Sequence, residues 1–184
     1  MRFILAMSVL CLIFPRTCLA KGCEQNEKEV KLFKAYIAVR ANSSDNNLDK
    51  FCTSLDEWGY PNYFNFVLKD LKNKGGVIIE TLIKYARRGK PRAIESLLKS
   101  EIIVFRDNNT EYSEWLGEEV FFIASKDLEG LFKALKKQDE PIRNYTLDLL
   151  KSPISDNLNK ELITKQLKEE RIRSRYPEFV RYLE

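Results

Sequence analysis

Residues 80–100 read ETLIKYARRGKPRAIESLLKS, and their pattern decides the fold class. A helix over 77–88 with Leu82 in its core face reaches a short turn, and a second helix carrying Leu97 opens at Pro91. Proline suits a first helical turn, where its missing N–H has no intrahelical acceptor to lose. Residues 129–152, EGLFKALKKQDEPIRNYTLDLLKS, repeat the plan of helix, proline-bearing turn and helix. Glu80 aligns with Glu129 at an offset of 49, and Leu97-Leu98-Lys99-Ser100 with Leu149-Leu150-Lys151-Ser152 at 52. The inserted residues therefore fall in the joining turn, where lengthening the chain costs least. Leu131 and Leu149 are expected in the core with Leu82 and Leu97.

A single amphipathic hairpin cannot bury both of its faces, so such units stack into a continuous core. Over about residues 63–152 the unit resembles the helical hairpins of the HEAT and armadillo repeat class. That resemblance implies an all-α fold of stacked antiparallel helical hairpins, a HEAT-like α-α superhelix in one compact domain. It also implies a scaffold that binds other macromolecules along a helical face.

The rest of the chain reads the same way. With 32% charged residues, 7 Gly and 6 Pro, helices are favoured over strands and turns. Val30, Phe33 and Ile37 share one helical face; Leu48, Phe51, Cys52 and Leu55 repeat that spacing beyond the loop 41–47, with Cys52 facing inward. Pro61 suits the start of a helix carrying Phe64, Val67, Leu68 and Leu71 and stopping at Gly75-Gly76. Residues 101–105 are ambiguous: Ile102-Ile103-Val104-Phe105 favours a strand by residue type but is too short to build a sheet, which leaves an extension of the fifth helix or an extended connector. Further helices are expected near 113–125, 127–138, 140–151 and 158–173.

The first 20 residues have a short positive start, an apolar run over 3–14 and small residues ending at Ala20, the outline of an export signal. The run is shorter than the roughly 20 apolar residues of a membrane span. The expected organisation is a signal peptide over 1–20 and a single helical domain over 21–184. Within it, 21–58 are stapled N-terminal helices, 61–152 the two hairpin units, and 153–184 a C-terminal helix and tail. Export to a periplasm or extracellular space leaves Cys23 and Cys52 as the mature cysteines, and two thiols in an oxidising compartment form a disulfide by default. The competing reading makes Cys23 a lipid anchor, since Ala20-Lys21-Gly22-Cys23 outlines a bacterial lipobox. Losing Arg2 and Arg16 lowers the net charge from +4, so no polyanion such as nucleic acid is expected as partner.

The chain has no histidine, which removes Ser-His-Asp and Cys-His nucleophile systems, the usual zinc sites and the commonest neutral-pH base. No phosphate-cradling glycine motif is present, and neither cofactor nor metal is expected. Three groups could still carry chemistry. Glu118-Glu119, Asp56-Glu57 and Asp139-Glu140 are the carboxylate pairs a glycan hydrolase would need, and are equally explained as helix-end charges. Asp107, Asn109, Glu111, Ser113 and Glu118 have the offsets of a calcium loop, but Tyr112 stands where its glycine is required. Arg87, Arg88, Lys90 and Arg92 cluster where one helix ends and the next begins, placed to meet an acidic protein surface or an anionic lipid. Trp58, Tyr60 and Tyr63 bracket a tight turn beside Phe64 and Phe66, with polar handles suited to an interface. Asn42, Asn108 and Asn144 begin glycosylation sequons, of use only in a eukaryotic host. The expectation is an exported, non-catalytic protein-binding module, of the envelope inhibitor or immunity type. The alternatives are a carboxylate-dependent glycan hydrolase and an assembly factor of an envelope complex.

Overall fold

Charged, glycine-poor sequence favours helix everywhere, and the computed structural model is all-α: ten helices and no strand among the described residues. It describes the backbone of residues 16–58, 75–106, 110–151 and 157–184, and side chains over 27–57, 77–102, 113–151 and 158–184. The expected helix at 61–74, with Tyr60 and Tyr63, lies outside the described residues, as does the side chain of Trp58. No helix among the described residues is long and apolar enough to cross a membrane. The chain divides into two compact units, 1–58 and 59–184.

Unit 1 is a hairpin of α1 (Arg16–Ala41) and α2 (Asp45–Trp58), with Ser44 Oγ accepting from Asn47 N at 3.3 Å to cap α2. The α2 face is the expected one, since Leu48, Phe51, Cys52 and Leu55 are all buried. The α1 face is not. Leu32 and Val39 are buried instead, Val30 and Ile37 stay 46% and 64% exposed, and Phe33 is half-buried. Both sets have helical spacing, and spacing alone does not say which one the neighbouring helix will cover.

Cys52 is buried in unit 1, while the side chain of Cys23 lies outside the described residues, and with it the expected Cys23–Cys52 bond.

Unit 2 is organised around α4 (Pro91–Arg106), which packs against α3 (Gly75–Ala86), α5 (Thr110–Lys126), α6 (Leu128–Leu135) and α7 (Glu140–Lys151). Residues 93–98 of α4 are all buried, including Glu95 and Ser96, as a helix enclosed on several sides requires. The ambiguous stretch from Glu101 is thus the helical extension of the two readings. Leu82, Leu97 and Leu131 are fully buried, whereas Leu149 is half-buried beside Gly117 and its neighbours Leu147 and Leu150 fill the core. Local chemistry sets the turns. Gly89 takes φ 72°, a left-handed value that glycine reaches without a Cβ clash, and lets Lys90 N bond back to Tyr85 O at 3.2 Å. Asp127 caps α6 through Gly130 N at 2.9 Å, and a Cβ on Gly130 would stand 2.2 Å from the capping carboxylate.

The single helix expected over 158–173 is in fact α8 (Asn157–Leu167) and α9 (Glu170–Arg175), followed by α10 (Pro177–Leu183). Gln166 explains the break. Its amide donates to Ala124 O and Ser125 O and its oxygen accepts from Leu128 N, so the end of α8 is tied to the corner between α5 and α6. Turning there lets Ile172, Tyr176, Phe179 and Val180 be buried, with the Tyr176 and Phe179 rings against Phe132.

Candidate functional site

The basic cluster of the α3–α4 turn is the place where the most sequence-expected site residues meet. Arg87 makes a forked ion pair with Glu119 of α5, Nε to Oε2 and Nη2 to Oε1 both at 2.6 Å. This hydrogen bonding raises the Arg87 pKa above its ordinary value. Its guanidinium also lies over the Phe122 ring at 4.8 Å, where Lys126 approaches at 5.6 Å. Arg92 Nη1 reaches Glu95 Oε2 at 3.0 Å, and the other oxygen of Glu95 takes Lys137 Nζ at 2.6 Å. Arg88 is exposed over the Tyr85 ring at 5.9 Å, and Lys90 is half-buried.

Two glutamates that the fold buries thus hold Arg87, Arg92 and Lys137. Buried carboxylates demand such partners, because removing a charge from water without one costs several kcal/mol. Arg88 and Lys126 add charge at the same end, each beside an aromatic ring. The result is one basic end of unit 2 presenting Arg87, Arg88, Lys90, Arg92, Lys126 and Lys137, which can attract and orient carboxylates of a partner. Lys126 and Lys137 were not legible as members: they lie far along the chain and arrive by the packing of α5 and of the turn after α6.

The other candidates separate. Glu118 is exposed while Glu119 is locked to Arg87, so this pair does not face a common cleft. Asp139 caps α7 through Ile142 N at 3.3 Å, and Glu57 is engaged with Lys31. Asp107 and Asn109 of the calcium-like run lie outside the described residues, as does the side chain of Glu111. Among the described residues no group of three His, Cys, Asp or Glu is placed to hold a metal ion. Asn42 and Asn144 are exposed, and Asn108 lies outside the described residues.

Sequence reasoning missed a third buried glutamate. Glu101 of α4 is 0% exposed; its Oε1 accepts from the Tyr145 hydroxyl of α7, and its Oε2 has no hydrogen-bond partner. Tyr145 is in turn hydrogen-bonded by Ser113 of α5, and the hydroxyl of neighbouring Thr146 is buried without a partner. Burial pushes the Glu101 carboxyl up to about 7, against a smaller opposing effect of the Tyr145 bond. Burial, with the Glu101 bond second, likewise pushes the Tyr145 hydroxyl up and keeps it a donor. No periodicity signals this, because Glu101 is an ordinary charged residue until three helices close on it.

Compared with protein-family models, curated proteins and solved structures, the chain matches none.

Proposed function

We propose that this chain is an exported, non-catalytic binding protein that meets an acidic surface of another protein with the basic end of unit 2, as an envelope inhibitor or immunity-type protein does. The observation that carries the reading is the gathering of six cations from three separate stretches at one end of unit 2. The missing histidine supports a role without general-base chemistry.

The test uses the purified protein as bait in extract from its own organism, with the captured partner identified and then titrated. Changing Arg88, Lys90 and Lys126 together to glutamate is expected to abolish capture, and raising salt to weaken the wild-type complex. Arg87 and Arg92 are poor choices for charge reversal, since each holds a buried carboxylate. Glu118→Gln should leave binding intact. Capture that survives the triple reversal, or glycan cleavage that Glu118→Gln abolishes, overturns the reading.

Export brings the disulfide with it. In the exported chain the Cys23–Cys52 bond is expected. Non-reducing peptide mapping should show the linked pair. An N-terminus still at Met1, or reduced cysteines in the exported protein, removes this part of the proposal.

A further inference from the structure

A cavity of about 480 Å³ opens between α1 and α2 of unit 1. Its lining includes Ala35, Ala38, Thr53 and Ser54, all small, with Lys31 and Lys34 from one helix and Lys50 from the other. Lys31 is already engaged by Glu57, and the amide of Asn47, also in the lining, is spent on Asn42 O at 2.9 Å. Lys34 and Lys50 are exposed and make no ion pair among the described residues. Asp49 is the one carboxylate of the lining, so the two lysines leave positive charge in surplus.

The hydroxyls point the same way. Thr81, Ser100 and Thr164 each donate to the carbonyl four residues earlier, at 2.8, 2.9 and 2.8 Å, the usual way a helical hydroxyl is satisfied. Thr53 and Ser54, both in the lining, make no side-chain hydrogen bond among the described residues. Hydroxyls on a cavity wall with no protein partner are open to a ligand in the cavity.

We propose that this groove binds a phosphomonoester, its phosphate held between the Lys34 and Lys50 ammonium groups and the hydroxyls of Thr53 and Ser54, its organic body on Ala35 and Ala38. Two ammonium groups and two neutral hydroxyls supply donors for the three strong acceptor oxygens of a phosphate, more than the two oxygens of a carboxylate can take up. The volume falls in the range of about 300–1,000 Å³ usual for small-molecule sites. The site belongs to unit 1 and stands whether or not the basic end of unit 2 binds a protein.

A free ester and a lipid headgroup present the same chemistry, so the test has two arms. Glycerol 3-phosphate is titrated into the full chain and followed by calorimetry and by NMR shifts. Sedimentation with phosphatidylcholine vesicles, with and without phosphatidic acid, forms the second arm. Saturable binding that shifts residues of 31–38 and 47–54 is expected. Lys34→Gln and Lys50→Gln should each weaken it roughly tenfold, and Arg88→Gln in unit 2 should leave it unchanged. Saturation by the soluble ester alone identifies a free metabolite; retention on phosphatidic acid that the two lysine variants lose identifies a headgroup. Both lysines are exposed, so their variants should keep the wild-type melting temperature. No saturable binding in either arm, or binding that Lys34→Gln and Lys50→Gln leave intact, overturns the proposal. Binding that Arg88→Gln weakens equally does so too, since it is then general charge attraction.

Discussion

The basic end of unit 2 and the junction of α4, α5 and α7 both bury glutamate, and they do so by opposite means. Glu95 and Glu119 receive three cations between them; Glu101 receives one phenol. At the basic end burial is compensated by charge. At the junction it is compensated by protonation, because a hydrogen bond from Tyr145 does not offset the loss of water around a whole charge. The same residue type on neighbouring turns of one helix therefore fixes an ion pair in one place and a titrating group in the other.

The largest effect expected from this contrast is a pH dependence owed to Glu101. Its folded pKa, about 7, lies above the ordinary 4.5. The folded chain thus holds a proton that the unfolded chain has released between those values, so stability is fully present below about 4.5 and is lost as pH rises through 7. The whole window amounts to about 3 kcal/mol, since each tenfold change in proton affinity is worth roughly 1.4 kcal/mol. Denaturant melts of Glu101→Gln should be flat across it and exceed wild type above neutral pH. A wild-type stability that does not fall between pH 5 and 8 would erase the difference between the two regions.

Arg87→Met should come next, at about 2 kcal/mol. It leaves Glu119 buried without its fork, although half of the arginine is in solvent and the loss is smaller than for a fully buried pair. Removing both charges as Arg87→Met with Glu119→Met should recover most of it, and a double-mutant cycle measures the coupling. If the double variant is no better than the single one, Glu119 is not compensated by Arg87 as argued. Arg92→Met should cost least, about 1 kcal/mol, because Lys137 still holds the other oxygen of Glu95. An Arg92 effect larger than that of Arg87 would reverse the ranking.

How far the residues announce themselves differs along the chain. The break at Gly89-Lys90-Pro91 was legible because glycine and proline have backbone preferences that hold in any surroundings. The continuation of α4 through Ile102 and Phe105 was not. Its β-branched residues suit strand or buried helix equally, and the chain is helical through Arg106. The stop at Lys168-Glu169 was invisible as well: the residues there are ordinary helix formers, and the turn comes from Gln166 reaching Ala124 and Ser125 some forty positions away.

What the sequence alone determined is what depends on neighbours within a turn or two: the all-α class, the hairpin turns, the inward face of α2 and the cation cluster at Arg87–Arg92. The tertiary structure alone decided which stripe of α1 is covered, which glutamates lose their water, and that Lys126 and Lys137 join the basic end. The reason is one of range. A helix requires only its own chain for its hydrogen bonds and its periodicity. Burial is conferred by whichever helix arrives from elsewhere, and with it the charge, the pKa and the partners of every side chain at the contact.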